Sequence, residues 1–297
     1  RNATSRTWRW QVLSSSVKAG STRVAMASSR TLTVLVWIDE EGNYNLATQR
    51  HQTSDPTLEQ VWSTETIRLE RESELLSNRY SASNDFDIVL RGDEPILAFR
   101  DRDTLSLDLL RRSTSSAEWV RTSIDDGLDE GLLKQCSARV TGKRGVGQEP
   151  DLIVTRSNQL AVAYHDGDCG DLRLARQDVQ GGWRIRVLDQ GDREPVEQHR
   201  TGRWPSIAQH PSTGNLAISY MDQTYGRLMF GVLDNELFLR QVIDDGERLN
   251  SSGQRVQGST GAFSSLSFID DDRPIISYYD GTTLDARLAT SSLLDDV

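Results

Sequence analysis

A nine-residue phrase recurs along the chain, and this recurrence constrains the fold more than any other feature of the sequence. The phrase reads WVRTSIDDG from Trp119, WRIRVLDQG from Trp183 and FLRQVIDDG from Phe238. In each copy an Ile or Leu follows the aromatic residue by five positions, and shorter copies begin at Trp8 and Trp62. The five copies begin 54–64 residues apart, which indicates an internal structural repeat.

A second phrase alternates with the first and consists of a short apolar run that ends in an aromatic residue, a variable residue and Asp. Two further apolar runs flank it, so each unit contains four short β-type segments separated by Gly, Asp, Asn or Ser. No sustained helical periodicity is present. Four strands in a unit of about 55 residues are typical of a β-propeller blade. The second phrase ends at Asp39, Asp101, Asp166, Asp222 and Asp280.

The order of the segments predicts how the ring closes. With the strands of a blade named A to D from the axis outward, the segment Trp8–Leu13 is a D strand without a blade of its own. The last A, B and C strands, Ser264–Thr290, have no D strand after them. We therefore expect an all-β, single-domain, five-bladed β-propeller over residues 1–297, with four antiparallel strands per blade and the N-terminal strand completing the last blade.

The units resemble the repeats of secreted bacterial β-propellers, whose blades carry a pattern of the form P-S-hydrophobic, I-S-Y-x-D, L-x-x-A and W. This chain carries the pattern best in PSIAQHPSTGNLAISYMD and in FSSLSFIDDDRPIISYYD. In architecture the predicted ring is also similar to the tachylectin-type lectins and to five-bladed glycosidases. The resemblance implies a fold and no particular activity, because one fold hosts many functions.

The net charge disfavours nucleic acid as a partner, and the short apolar runs argue against a transmembrane segment. The formal net charge is −10, from 44 Asp and Glu against 34 Lys and Arg, which disfavours nucleic acid as a partner because phosphate binding needs clustered bases. The longest strongly apolar run, Val34–Ile38, is far too short to span a bilayer, so we expect no transmembrane segment.

Two features favour an extracytoplasmic location, meaning periplasmic, cell-surface or secreted. The chain begins at Arg1 rather than Met, which we interpret as a mature chain whose targeting segment is gone. Cys136 lies in a long loop between a D and an A strand, and Cys169 lies in the B–C turn of the following blade. Both loops leave the same face of a blade, so we expect a disulfide between them, and disulfides form in oxidising compartments.

The starts of the innermost strands are the predicted ligand site. When the five repeats are aligned, each innermost strand starts with a polar residue at the same position. Five such residues would form a ring at the mouth of a central channel. Such a ring fits a pocket for a sugar, an anion or a peptide side chain, but it also fits solvation of the mouth and Arg–Asp pairs that hold the blades together. Trp204 could stack on a sugar or pack between blades. The predicted residues are Arg23, Asp87, Asp151, Ser206 and Ser265, with Arg79, Arg144, Arg203, Arg255 and Trp204 from the loops before them.

The sequence offers little for catalysis or metal binding. The five Asp residues of the second phrase are expected to accept backbone N–H bonds within their own turns, as Asp commonly does. A glycosidase needs carboxylates that converge in the central pocket, and only Asp87 and Asp151, with Asp85 and Glu149, lie on inner strands. His165 occupies a variable position, which argues against a catalytic triad. We predict no catalytic residue, no metal and no cofactor.

These observations lead to a ranked prediction of function. The first hypothesis is a non-catalytic binding or scaffold module that holds a protein partner or a surface assembly through its loop-rich face. The first alternative is a lectin-like carbohydrate-binding protein, and the second is a five-bladed glycoside hydrolase. Unequal blades weaken the lectin hypothesis, because multivalent lectins tend to repeat their binding residues from blade to blade.

Overall fold

The computed structural model describes residues 12–14, 23–51, 62–67, 83, 85–113, 118–133, 145–191, 199–249, 252–269 and 272–291. The chain divides into two compact units, residues 1–84 and residues 85–297, and each is described here by itself. No helix in the described part of the chain is long and apolar enough to cross a membrane.

The first unit holds one four-stranded antiparallel sheet, which is the first blade. Its strands pair in chain order, and the hydroxyl of Tyr44 donates to the carbonyl of Ser83 at 3.1 Å within the same unit. The strands are β1 (Ala25–Ser28), β2 (Leu32–Ile38), β3 (Tyr44–Arg50) and β4 (Trp62–Ile67).

The second unit holds four further sheets of the blade type, the second to the fifth blades, each antiparallel with its strands paired in chain order. The second blade contains β5 (Phe86–Arg91), β6 (Glu94–Arg100), β7 (Leu107–Arg112) and β8 (Trp119–Asp125). The third contains β9 (Gln148–Val154), β10 (Leu160–Asp166), β11 (Asp171–Gln177) and β12 (Trp183–Asp189). The fourth contains β13 (Arg203–Gln209), β14 (Leu216–Asp222), β15 (Arg227–Asp234) and β16 (Leu237–Asp244). The fifth contains β19 (Thr260–Ile269), β20 (Arg273–Asp280) and β21 (Asp285–Thr290).

Two loops between blades contain secondary structure that the sequence pattern did not predict. The short helix α1 (Glu130–Leu133) follows the second blade, and the hairpin of β17 (Glu247–Leu249) and β18 (Arg255–Gln257) follows the fourth. The predicted closing strand Trp8–Leu13 lies almost wholly outside the described residues, and Val12 and Leu13 are not in a strand. The described part of the chain therefore shows four four-stranded sheets and one three-stranded sheet, and the five-bladed closed ring stays a prediction.

The burial pattern explains why the strand sequences are apolar on both faces. All seven residues of β10 and all seven of β14 are buried. A strand that packs on both faces against neighbouring sheets reads as a continuous apolar run rather than an alternating one. The outer strands β8 and β16 instead expose most of their side chains.

The recurring nine-residue phrase has a structural role at the outer ends of the blades. Its Asp accepts the backbone N–H two residues later and also the hydroxyl of the tyrosine on the B strand of the next blade. The hydroxyl distances are 2.6 Å for Tyr164 to Asp125, 2.7 Å for Tyr220 to Asp189 and 2.9 Å for Tyr278 to Asp244. We call these three contacts the tyrosine–aspartate staples. Hydrogen bonds to an ionised acceptor are about twice as strong as neutral ones.

Arginine side chains reinforce the same carboxylates. Arg173 is 1% exposed and bridges Asp125 of the second blade at 3.0 Å and Asp166 of its own blade at 2.5 Å. Arg240 of the fourth blade pairs with Asp189 of the third. A buried carboxylate needs such a partner, because an uncompensated buried charge is strongly destabilising.

Candidate functional site

The site lies where the A strands of the third, fourth and fifth blades begin, on the face that carries the B–C turns. In each of these blades the pairing of strand A with strand B contains a bulge, with one extra residue on strand A. The first bulged residue has a left-handed backbone, with φ of 52° at Glu149, 46° at Trp204 and 54° at Phe263. We call these three the rim residues.

A left-handed φ is uncommon for a residue with a side chain and is a genuine outlier for a bulky one. Bulges that re-aim a side chain are concentrated near functional sites, where backbone strain is tolerated because the surrounding structure enforces it. The repetition of one strained position in three blades therefore marks the rim as the place to look for function.

The rim carries an aromatic cluster. The ring of Trp204 lies 4.9 Å from the ring of Phe263, with a tilt of 46° between their planes. The ring of Phe263 lies 6.5 Å from that of Tyr279, which comes from β20 of the same blade. Phe263 is 66% exposed, although soluble proteins usually bury an aromatic ring of this size. We call Trp204, Phe263 and Tyr279 the aromatic cluster.

An ion pair between two blades holds one side of this cluster. The guanidinium of Arg203 donates to both carboxylate oxygens of Glu149, with the shortest distance 2.6 Å. The backbone N–H of Trp204 donates to the same carboxylate at 2.6 Å. The guanidinium carbon of Arg203 lies 4.4 Å from the centre of the Trp204 ring, which is a cation–π contact. Arg203 and Phe263 thus both pack on the indole of Trp204, while Phe263 keeps most of its own surface open to solvent.

The predicted channel-mouth residues Asp87, Asp151 and Ser206 join the innermost strands to one another. Each accepts the backbone N–H of the next blade's A strand: Asp87 from Leu152 at 2.9 Å, Asp151 from Ile207 at 2.6 Å and Ser206 from Leu266 at 3.1 Å. These residues therefore hold neighbouring blades together, which was one of the two roles that the sequence left open. They do so by hydrogen bonds to the backbone and not by Arg–Asp pairs. The part of these residues in ligand binding stays a prediction.

The strand register confirms most of the predicted alignment and corrects it in the first blade. Asp87, Asp151, Ser206 and Ser265 each pair with the residue just before the B-strand aromatic. In the first blade that partner is Val36, and it pairs with Ala25 rather than Arg23. Arg23 therefore occupies the repeat position of the rim residues, two places earlier than predicted, because alignment by polarity alone passed over an alanine.

The remaining predicted residues separate into four groups. Arg203 and Trp204 belong to the rim, as described above. Arg255 lies on β18, in the hairpin that precedes the inner strand β19; its side chain is 78% exposed and pairs with Glu247 at 2.8 Å. Arg79 and Arg144 lie outside the described residues. Ser265 is exposed on β19.

The Asp residues that end the B strands cap their own turns, as predicted. Asp101 accepts the N–H groups of Asp103 and Thr104, and Asp280 accepts those of Thr282 and Thr283, at 2.7–3.2 Å. Equivalent bonds reach Asp39, Asp166 and Asp222. The turn-capping role is therefore observed, and the expectation that these carboxylates form no catalytic ring stays a prediction.

His165 is buried and electrostatically unsuited to a triad. Burial, followed by the positive charges of Arg203 and Arg200, lowers its pKa to about 3. A general base with so low a pKa would be a poor proton acceptor at neutral pH. The structure gives no support to a catalytic role for His165.

One buried group has the geometry of a cation site. Ligand atoms of Asp166, Cys169 and Asp171 lie within 4.8 Å of one another. However, Asp166 already pairs with Arg173, and no cysteine in the described part of the chain is free to act as a thiolate. The cluster is therefore adequately explained as part of the B–C turn. Cys136 lies outside the described residues, so the predicted disulfide with Cys169 stays a prediction.

Sequence reasoning missed Phe263 and Tyr279 as site residues. The signal was present, because Phe263 stands two places before Ser265 just as Trp204 stands two places before Ser206. Tyr279 fills the variable position of the aromatic-x-Asp phrase, which is His165 in the third blade and Met221 in the fourth. An alignment that compared this variable position with the position two residues before Ser206 and Ser265 would have predicted the aromatic cluster.

Comparison with known proteins agrees with the fold. No protein-family model matches the chain, and no curated sequence matches it. Among solved structures, an arginine-to-alanine triple mutant of AofleA from Arthrobotrys oligospora is similar over 91% of this chain and 68% of that chain, at 15% identity and a TM-score of 0.52. SapL1 lectin in complex with alpha methyl fucoside is similar over 92% and 80%, at 10% identity and a TM-score of 0.48.

A GH43 β-1,3-galactosidase with galactodeoxynojirimycin is similar over 90% of this chain and 88% of that chain, at 9% identity and a TM-score of 0.47. Identities this low bear on fold alone, and only the first of these similarities is strong enough to carry that conclusion. The repeated four-stranded sheets and the similarity to AofleA together support a β-propeller architecture for this chain.

Proposed function

We propose that the protein is a non-catalytic, lectin-like carbohydrate-binding protein whose site is the aromatic cluster on the rim. The observation that carries the proposal is the exposed ring of Phe263, held on a strained bulge and packed against Trp204 at 4.9 Å. An aromatic face attracts the polarised C–H groups that cover one side of a sugar ring. The hydroxyl of Tyr279 supplies the kind of polar group that orients a ligand on an apolar surface.

The polar groups around the cluster favour binding over hydrolysis. Both carboxylate oxygens of Glu149 accept bonds from Arg203 and Trp204, and Asp85 accepts the N–H of Glu149 at 3.3 Å. A glycosidase needs one carboxyl to protonate the leaving group and another to act on the opposite face of the sugar. Here the inner-strand carboxylates are already engaged in holding the blades, so we expect no turnover of chromogenic glycosides.

The first prediction tests the site directly. Phe263→Ala should weaken binding to the best ligand of a glycan array at least tenfold, because it removes the exposed stacking surface, and Trp204→Ala should do the same by removing the support of that surface. Trp119→Ala is the matched control, because its indole is half-buried on the outer strand β8, far along the chain from the rim. Isothermal titration calorimetry gives the affinities. Equal affinity in wild type and Phe263→Ala would refute the proposed site.

The sequence-based preference for a protein partner or surface assembly stays a prediction. No feature in the described part of the chain identifies such a partner, whereas the aromatic cluster identifies a class of ligand. Loss of a captured protein in Phe263→Ala, with no glycan bound on the array, would favour the protein partner over the carbohydrate.

Two further proposals concern the whole chain. We propose that the N-terminal segment Trp8–Leu13 completes the last blade, since β21 is the outer strand of a three-stranded sheet among the described residues. We also propose an extracytoplasmic location, which rests on the predicted disulfide between Cys136 and Cys169. Mass spectrometry of the unreduced protein tests the second proposal, because two free thiols would remove its support.

A further inference from the structure

Two arginines face each other across the outer strands of the third blade. Arg176 on β11 pairs in register with Arg184 on β12, so both side chains leave the same face of the sheet. Side chains in such a pair start roughly 5 Å apart, and like charges placed directly opposite are destabilising. Both side chains are exposed. The arrangement costs stability in a chain whose net charge is −10 and which has an excess of acids available.

The neighbouring carboxylate does not neutralise this pair. Glu236 of the fourth blade pairs with Arg186 at 2.8 Å, and its backbone carbonyl also accepts a hydrogen bond from Arg186. Within the described part of the chain, neither Arg176 nor Arg184 forms an ion pair. In the second blade, the position equivalent to Arg176 is Arg111, and it lies opposite Val120 instead of a second arginine. The arginine pair is therefore a feature of this one blade and not of the repeat.

A cavity adjoins Arg176, one member of the pair. It has a volume of about 390 Å³, lies between the third and fourth blades and is on the face opposite to the B–C turns. Leu216 and Leu233 give it an apolar wall, and the rest of the lining comes from Arg176, Gly214, Asn215, Asn235 and Glu236. Asn235 itself has a left-handed φ of 54°, which fixes the turn that borders the cavity.

We propose that this cavity is a second binding site, which takes a phosphate or sulfate ester of a sugar-sized molecule. Arg176 supplies one guanidinium group from the cavity lining, and Arg184 lies opposite Arg176 on the same face of the sheet and can supply a second. The planar donors of guanidinium groups match the oxygens of a tetrahedral anion. The cavity is too large for the anion alone, and its leucine wall can cover the apolar side of the attached group. The site is separate from the aromatic cluster, which lies on the other face.

The experiment uses glucose 6-phosphate, glucose 6-sulfate, inorganic phosphate and glucose as probes, titrated into the full chain by calorimetry. We expect saturable binding of the two esters at about 1 mM or tighter, weaker binding of inorganic phosphate, and no binding of glucose at this site. The Phe263→Ala variant serves as background, so that binding at the aromatic cluster does not contribute. The affinity for the esters should fall as salt rises, because screening weakens the contact.

The variants decide the assignment. Arg176→Gln with Arg184→Gln should weaken ester binding at least tenfold, whereas the matched control Arg111→Gln should change it by less than twofold. Unchanged affinity in the double variant, or no ester binding by the wild type, would overturn the site. Equal affinity for inorganic phosphate and for the esters would overturn the assignment of an ester.

Discussion

The outer ends and the inner rim of the same blades differ in whether their side chains are repeated from blade to blade. At the outer ends, three successive junctions use the same staple: an Asp from one blade and a Tyr hydroxyl from the next. On the rim, the equivalent position of the last three blades is Glu149, then Trp204, then Phe263, with one strained backbone and three different side chains. The repeated side chains of the outer ends hold the sheets together, whereas the rim repeats only the backbone and leaves the side chain of Phe263 mostly open to solvent. Stability and binding should therefore be separable by mutation.

The largest effect is expected at the most deeply buried charge of the outer ends. Arg173→Met should lower the free energy of unfolding by about 3–5 kcal/mol, because it leaves Asp125 and Asp166 as buried carboxylates without their cation. Chemical denaturation followed by tryptophan fluorescence measures the change. Arg111→Met, an exposed arginine on the equivalent strand, is the control and should cost less than about 0.5 kcal/mol. A similar fall in the free energy of unfolding in both variants would show that the burial of Arg173 does not matter for stability.

The next effect is a dependence of stability on pH that comes from His165. Its pKa falls from 6.5 in the unfolded chain to about 3 in the folded one, mainly because of burial, so the unfolded state binds more protons between these values. The contribution to stability is complete above pH 6.5 and is lost as the pH falls towards 3. We expect a loss of about 2–3 kcal/mol between pH 6.5 and 4.5 from this group. The variant His165→Met, which installs the residue of the same slot in the fourth blade, should flatten the curve over this interval in thermal melts.

A smaller effect tests the staple itself, in two directions. Tyr220→Phe should cost about 1.5–2 kcal/mol, because it removes a hydrogen bond to the ionised carboxylate of Asp189. The second blade has Phe99 at the tyrosine position, and its ring is fully buried. Phe99→Tyr should therefore also destabilise, since it inserts a hydroxyl into a packed site. A stabilising Phe99→Tyr would show that a tyrosine at this position stabilises through contacts other than the staple.

The smallest effect on stability is expected on the rim. Phe263→Ala should change the free energy of unfolding by less than about 0.5 kcal/mol, because the ring is 66% exposed and little of it is removed from water in the folded state. The same variant is expected to lose most of the proposed carbohydrate binding. If its stability fell as far as that of Arg173→Met, the rim would be a structural element and the comparison would fail.

The repeat made much of the fold predictable, and the places where prediction failed have physical reasons. The D strands that begin at Trp62, Trp119 and Trp183 were predicted from a fixed aromatic-to-aliphatic spacing, which burial between sheets imposes. The capping role of Asp101 was predictable because an aspartate bonds locally, within its own turn. The hairpin β17–β18 was not predictable, because it occurs in one loop only and has no counterpart in the other repeats with which its sequence could be aligned.

The site was only half predictable for a related reason. Trp204 was found because it stands out in a polar loop, whereas Phe263 reads as one more apolar residue of a strand. Its exposure follows from a bulge and a left-handed backbone, and both depend on pairing with β20 rather than on local sequence. The contact between Phe263 and Tyr279 likewise depends on strand register.

The strained bulges have a consequence for how such a protein can change. Glycine is the residue of lowest energy at a left-handed position, so Glu149, Trp204 and Phe263 each carry a penalty of roughly 1 kcal/mol that glycine would not. At Phe263 a glycine would remove this penalty together with the exposed ring, whereas at Glu149 it would also break the ion pair with Arg203. The backbone shape of the bulge at Phe263 is set by the pairing of β19 with β20, so the side chain there can be exchanged without a change in that pairing. Redesign of the proposed ligand site should therefore begin at Phe263 and keep Glu149.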